Sequence, residues 1–419
     1  MDTSAQSNHY LPRHLSRSLE EALEDTPVVC LLGPRQCGKS TLAQECDPKR
    51  HYITLDDRNY LELALQDPEG LVDGLPERVT IDEIQRAPEL TLAIKRSVDA
   101  ERRPGRFLLT GSANLLQLPR LADSLAGRME CLYLHPLTES EKSRSSGEFL
   151  NHWMTGRLSE SFPSSRGSLK SQVPERLVAG GYPEAFSRSA RRAVRWQKEY
   201  VKAIIERDIR DVAEVKDVRD TARLLEYLAN QTATLINISA IATALGHTRL
   251  TIERHLSVLE RLFLLRTLPA WHNNRNKRLV KAPKLHLCDS GLIAALSDLR
   301  QDQWNPERTR FGFLLESFVV QQFFAMGSWS DMEPRFFYYR DKDQVEVDLV
   351  MEVDGGVWGV EVKAAASVNS NDGKGLRRLA ETVGKNFRGG LVFYNGLAVL
   401  PIDRESNVFA MPLSKLWEL

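Results

Sequence analysis

Gly33-Pro34-Arg35-Gln36-Cys37-Gly38-Lys39-Ser40 is a complete G-x-x-x-x-G-K-[ST] phosphate-binding loop. The apolar run Val28-Val29-Cys30-Leu31-Leu32 precedes it, and Thr41-Leu42-Ala43, which can start a helix, follows. Strand, loop and helix in that order are the context the motif requires. Gly33 and Gly38 let the backbone curl so that the N–H groups of Pro34 to Thr41, proline excepted, converge on phosphate oxygens. The helix N-terminus adds favourable electrostatics for an anion. Lys39 is placed to reach the β- and γ-phosphates and Ser40 to ligate Mg²⁺. These residues imply a nucleoside triphosphate ligand.

A phosphate cradle hydrolyses nothing unless a metal ion and an oriented water join it. Val79-Thr80-Ile81-Asp82-Glu83 supplies both functions, a β-rich run ending in adjacent acids about forty residues beyond the loop. Asp82 is the candidate for the Mg²⁺ shell and Glu83 for the catalytic base, although an Asp-Glu pair ahead of a helix also suits an N-cap. A third strand, Gly105-Arg106-Phe107-Leu108-Leu109-Thr110, leads into Gly111-Ser112-Ala113. Thr110 or Ser112 at its end is a candidate γ-phosphate sensor, or an ordinary helix cap.

The wider composition sets limits. At 419 residues the chain has room for roughly three domains of ~150 residues. Lys plus Arg and Asp plus Glu are each 56, a net charge of zero, so an argument for nucleic acid must come from local patches. The five cysteines form no C-x-x-C pair, and no apolar run approaches the ~20 residues that span a bilayer. With no signal-peptide pattern at Met1–Ala5, a cytoplasmic protein without membrane partners is the expectation.

The stretches Leu32–Thr41, Ile81–Pro88, Leu109–Ala113, Ser124–Arg128, Leu134–Glu141, Gly180–Ala185, Lys281–Lys284 and Asp289–Leu292 resemble AAA-type P-loop ATPases of bacteria and archaea that carry a C-terminal domain of unknown function. The resemblance covers nearly the whole chain. It implies an α/β ATPase core with a parallel sheet over residues 1–142 and ATP with Mg²⁺ as cofactors. It also implies Arg128 as an arginine finger or phosphate sensor and Pro183 near the nucleotide base. By residue chemistry alone Arg128 is equally a solvated surface arginine. A finger acting in trans makes a homo-oligomer the expected partner state.

Residues 143–228 read as a Ser/Gly/Arg-rich mobile insertion followed by a helical lid, with Arg188, Arg192, Arg195 and Lys202 as a basic stripe. Residues 229–290 carry a helix–turn–helix pattern: Ile238–Leu245, the turn at Gly246, then Thr251–Leu259. Leu262–Leu265 and Lys284–Leu287 bracket a wing containing Arg275, Lys277, Arg278 and Lys281 with no acid between them. A basic wing beside such a helix suits DNA, although winged helices in AAA-type proteins also pack internally.

Residues 291–419 hold the second chemical signal. Val345–Met351 alternates as a strand, Asp354-Gly355-Gly356 turns, and Trp358–Lys363 returns. Asp348 and Glu361 then converge from paired strands, and Lys363 shares the face of Glu361 by the period-2 rule. The amphipathic-looking Phe313–Val320 adds Glu316. D-x(12)-E-x-K after such a helix resembles the PD-(D/E)xK nuclease superfamily, which includes archaeal Holliday-junction resolvases. That resemblance implies Asp348, Glu361 and Glu316 as metal ligands and Lys363 as the catalytic lysine. Val347 departs from the family's proline, and an E-x-K triplet alone is commonly a surface ion pair. The sequence thus leads to a Mg²⁺-dependent ATPase coupled to a winged helix and a nuclease-like domain acting on DNA. Its alternative is a nucleotide-gated protein-interaction switch whose nuclease-like domain is inactive.

Overall fold

The computed structural model describes residues 10–112, 125–158, 172–212, 218–274, 276, 278 and 281–419. They form two compact units. One takes the described residues up to Leu137 with Glu260–Phe263; the other takes those of Thr138–Leu259 and Leu264–Leu419.

The first unit is built on a five-stranded sheet of β1 (Val28–Leu32), β2 (His51–Thr54), β3 (Val79–Asp82), β4 (Phe107–Gly111) and β5 (Met129–Tyr133). Their order is β2-β3-β4-β1-β5 and every pairing is parallel. β1, β3 and β4 are buried along their whole length, which is why they read as unbroken apolar runs. The edge strands β2 and β5 are mixed in burial, and the sequence reading did not find them. Leu32, Ile53, Ile81 and Leu109 join Ile94 and Val98, on the helix Leu90–Ala100, in one apolar core. Because all five strands run the same way, the turns that follow β1, β3 and β4 emerge at one edge of the sheet. The loop before Lys39, the acids after Ile81 and the polar end of β4 are brought together there.

The second unit contains two further sheets. β6 (Thr234–Leu235), β7 (Leu265–Leu268) and β8 (Lys284–Leu287) form an antiparallel sheet of order β6-β8-β7. The helices Ile238–Leu245 and Arg249–Arg261 lie between β6 and β7 in the chain. Asn237 caps the first by accepting from the N–H of Ala240, and Gly246, at φ 73°, ends it. Ile252, Leu256 and Leu259 are buried, as their spacing predicts.

The other sheet has six strands in the order β13-β14-β12-β11-β10-β9. These are β9 (Arg335–Arg340), β10 (Glu346–Val353), β11 (Gly356–Lys363), β12 (Phe387–Tyr394), β13 (Leu400–Asp403) and β14 (Val408–Pro412). β10 and β11 form a hairpin closed by Asp354-Gly355, both at positive φ. That is the Asp-Gly chemistry a tight two-residue hairpin turn favours. The helix Arg308–Ser328 corrects one expectation. Phe313–Val320 is not amphipathic in place, because Leu314 to Val320 are buried without interruption, Glu316 and Ser317 among them. No helix among the described residues is long and apolar enough to cross a membrane.

Candidate nucleotide site and a second, acidic cleft

The phosphate-binding loop is held open by its backbone. Gly33 has φ 153° and Gly38 has φ 104°, while Gln36 takes a left-handed φ of 58°. A Cβ on Gly33 would lie 2.2 Å from the carbonyl oxygen of Leu134, so only glycine lets the loop pass the end of β5. Arg13, buried and absent from the sequence reading, clamps the loop from outside. Its Nη1 donates to the Cys37 carbonyl at 2.7 Å and its Nη2 to the His135 carbonyl at 2.6 Å. Lys39, Ser40 and Thr41 open the helix Lys39–Cys46, whose first N–H groups have no intrahelical partners. Lys39 Nζ donates to the carbonyls of Gly33 (3.0 Å) and Pro34 (2.9 Å), folding over the loop it belongs to.

Asp82 is the centre of the polar network. Its carboxylate accepts from Ser40 Oγ at 3.0 Å, from Tyr52 OH at 2.5 Å and from Thr110. Burial first, and then the hydrogen bond to Asp82, push the Tyr52 phenol well above its ordinary pKa, which keeps it a donor. Tyr52 lies on the edge strand β2, too short and mixed to announce itself in the sequence. Next to Asp82, Glu83 sits in a left-handed conformation (φ 58°, ψ 42°). Its carboxylate accepts from Gln85 Nε2 and from Ser112 Oγ, the latter at 3.2 Å, and Gln85 Nε2 also reaches Ser112 Oγ at 3.0 Å. A non-glycine residue at positive φ stores backbone strain of about 1 kcal/mol or more, a feature that clusters at functional positions.

Ser40 and Asp82 therefore fit Mg²⁺: a hydroxyl and a carboxylate in contact beside the loop. Arg128 is not brought to this edge. It precedes β5, whose far end adjoins the loop through the Leu134 N–H to the Leu32 carbonyl, six residues on and roughly 20 Å away along the strand. There Arg128 pairs with Asp99 at 2.5 Å. Pro183 is the first residue of the short helix Pro183–Phe186 in the second unit.

Residues 25–142 match the family model described as AAA domain. Residues 25–142 thus form an AAA-type P-loop domain, and a domain of unknown function lies C-terminal to it. That second domain, DUF4143, matches residues 311–416, and another domain of unknown function, DUF8612, matches 170–303. The chain is 29% identical over 357 residues to uncharacterized proteins of Mycobacterium tuberculosis and Mycobacterium bovis, covering 85% of this chain and 74% of each of those. Among solved structures it resembles the Walker-type ATPase PABY2304 of Pyrococcus abyssi (17% identity, TM-score 0.41, 68% of this chain and 96% of that one). It also resembles the RuvB Holliday junction branch migration motor of Thermotoga maritima (19% identity, TM-score 0.30, 62% and 90%).

Within the second unit the sequence-predicted acids line a cleft of about 610 Å³. In the β10–β11 hairpin Leu349 pairs with Val360, which sets Asp348 opposite Glu361 and Glu346 opposite Lys363 on one face. Asp348 Oδ2 accepts from the Val362 N–H at 2.8 Å, and Lys363 Nζ donates to Glu361 Oε2 at 3.2 Å. Glu316 enters from the helix Arg308–Ser328. Burial first, then the Asp348 charge, raise the Glu361 carboxyl to about 8 despite Lys363. Burial and Asp348 likewise raise Glu316 well above the usual carboxylate range. Gly375, in the first turn of the helix Lys374–Val383, closes the floor; a Cβ there would lie 2.2 Å from both the Glu346 carbonyl oxygen and Glu361 Oε1.

One further side chain occupies this cleft. Lys284 of β8, 3% exposed, donates to Glu316 Oε1 at 2.5 Å, pairs with Glu346 and lies 3.7 Å from Asp348 Oδ1. Burial works to lower its pKa, yet Glu316, Asp348 and Glu346 hold it above its ordinary value. Each acid of the expected metal set thus already faces an ammonium or an N–H. Among the described residues no three His, Cys, Asp or Glu side chains are arranged to hold a metal ion. The acids converge as the sequence predicts, but the arrangement does not fit a divalent ion.

The basic features are also redistributed. Arg275 and Lys277 lie outside the described residues. Arg278 turns inward to Glu352 at 2.8 Å and over the Trp271 and Phe337 rings, while Lys281 donates to the Arg340 carbonyl at 3.0 Å. Arg188 pairs with Glu184, whereas Arg192, Arg195 and Lys202 remain exposed on the helix Ala190–Val212.

Proposed function

We propose that this protein is a Mg²⁺-dependent ATPase whose nucleotide state is coupled to a winged helix and a PD-(D/E)xK-like domain acting on DNA. The observation that carries the ATPase reading is the convergence of Lys39, Ser40, Asp82 and Glu83 at one edge of the parallel sheet. In this reading the N–H groups of Arg35 to Thr41 hold the phosphates, and Lys39 turns from its own loop carbonyls onto them. Ser40 and Asp82 hold the metal ion, which supplies charge neutralisation on the phosphates. Tyr52 and Thr110 fix the carboxylate of Asp82. Glu83 orients and deprotonates the attacking water, with Gln85 and Ser112 aiming its carboxylate. Arg128, remote from its own loop, serves only the site of a neighbouring copy. Phosphate release from ATP by wild type and Glu83→Gln tests hydrolysis, and native mass with and without ATP tests the assembly.

In this reading a lid spans residues 143–228, a winged helix 229–290 and a nuclease-like domain 291–419. The order of helix, β10–β11 hairpin, helix and β12 supports the last of these. Incubation of branched and linear DNA with Mg²⁺ or Mn²⁺, comparing wild type with Asp348→Ala, tests the DNA reading. Cleavage lost in the variant upholds it. The second reading, a nucleotide-gated switch with an inactive nuclease-like domain, is favoured by one specific observation, the Lys284 ammonium among the acids.

A further inference from the structure

We propose that Lys284 is the resident cation of the C-terminal cleft, standing where a PD-(D/E)xK-type site would coordinate its divalent ion, so that the cleft works without metal. The inference rests on reading residues 291–419 as PD-(D/E)xK-like.

Three observations converge on it. First, the ammonium is not a surface group that has folded over. Lys284 is buried on β8, and its nitrogen meets three carboxylates delivered by two other elements: Glu316 from the helix Arg308–Ser328, and Glu346 and Asp348 from β10. Those include two of the three acids the resemblance assigns to metal. Second, β8 is tied to that helix on either side of Leu285. His286 Nδ1 bonds Ser317 Oγ at 2.9 Å, and Gln321 Nε2 donates to the Leu287 carbonyl at 2.5 Å. Ser317 in turn bonds Thr232 Oγ1 at 2.8 Å, just ahead of β6. Ser317 and Gln321 of the helix thus anchor His286 and Leu287 of β8, which sets the Lys284 backbone beside Glu316. Third, the remaining acid, Glu361, takes the other lysine: Lys363, which the resemblance assigns to catalysis, is paired to it at 3.2 Å.

The consequence is chemical. A divalent ion at this point would bring its charge next to a buried ammonium in a poorly screened setting, where like charges repel by several kcal/mol at an effective dielectric near 20. Metal and Lys284 therefore exclude each other. The cleft retains polar walls and about 610 Å³ of space, with Lys284 in place of a metal ion.

Titration calorimetry with Mn²⁺ on nucleotide-free full-length protein, in an Asp82→Asn background that removes the P-loop metal ligand, reads the competition directly. Asp82→Asn alone is expected to show no Asp348-dependent binding, and its melting temperature should not respond to Mn²⁺. Adding Lys284→Met vacates the position and should tighten Mn²⁺ binding by at least about tenfold, with a Mn²⁺-dependent rise in melting temperature. If burying three acids without their lysine prevents folding, Lys284→Met with Glu346→Gln removes one charge of each sign and is measured in its place. Mn²⁺ binding that is abolished by Asp348→Asn but present with Lys284 intact would overturn the inference and leave the nuclease-like reading standing. Absence of binding even when Lys284 is removed would overturn both.

Discussion

Replacing Gly33 by alanine tests how tightly the phosphate-binding loop is tied to the sheet beneath it. The added Cβ would sit 2.2 Å from the Leu134 carbonyl oxygen, and φ 153° is a value that L side chains rarely adopt. Ordinary contact begins near 3.4 Å, so the loop must retreat by about 1 Å, since β5 is hydrogen-bonded along β1 and cannot yield. A misplacement of about 1 Å at a reacting or binding group costs up to ~100-fold. We therefore expect ATP affinity, read by fluorescence titration with a labelled nucleotide, to fall about 10- to 100-fold, or about 1.4 to 2.7 kcal/mol. Gly127→Ala is the matched control. Gly127 also has positive φ, 72°, but nothing lies within 4 Å of its Cβ position, so it carries the conformational cost of about 1 kcal/mol without the clash. Gly33→Ala binding nucleotide within twofold of wild type, with Gly127→Ala equally unaffected, would refute the reasoning.

Other outcomes follow from the same geometry. Glu83→Gln should retain ATP binding while phosphate release drops by about 100-fold or more, because only the base is lost; equal loss of binding and turnover would argue that Glu83 is structural. Tyr52→Phe removes one hydroxyl from Asp82 and should raise the Mg²⁺ concentration for half-maximal turnover by roughly tenfold, the worth of one charge-assisted hydrogen bond; an unchanged Mg²⁺ dependence would dismiss the role. In the second unit, Asp289 is buried and accepts from the N–H groups of Gly181 (2.6 Å) and Leu292 (3.0 Å). Asp289→Ala should destabilise that unit by about 2 kcal/mol or more in chemical denaturation, and a loss below ~0.5 kcal/mol would count against it. Glu361 titrates near 8 in the folded protein against 4.5 when exposed, so the folded state binds the extra proton between those values. Its contribution to stability is therefore lost as pH rises from about 5 to 8. Melting temperatures over that range should fall less steeply for Glu361→Gln than for wild type.

Much of the nucleotide site was legible because its physics is local. Gly33, Gly38, Lys39 and Ser40 are close in the chain, and the buried strands β1, β3 and β4 show as apolar runs. The partners supplied from a distance were not: Arg13 and Tyr52 are ordinary residues until folding turns them toward the loop or Asp82. Likewise the short, half-exposed edge strands β2 and β5 leave too little periodicity to read. Arg128 stood beside a motif in the sequence, but strand direction puts it at the wrong end of β5 for its own loop.

The sequence by itself determined the phosphate-binding loop, the acids at the end of β3 and the hairpin that sets Asp348 opposite Glu361, because each depends on spacing within one or two adjacent elements. Only the tertiary structure decided what those acids face. Lys284 lies more than sixty residues before Asp348 in the chain, with no pattern linking them. It reaches the cleft because β8 is bonded to the helix that carries Glu316. A charge's partner is a matter of distance in space, and a buried ammonium among three carboxylates is invisible until the strand that bears it has packed.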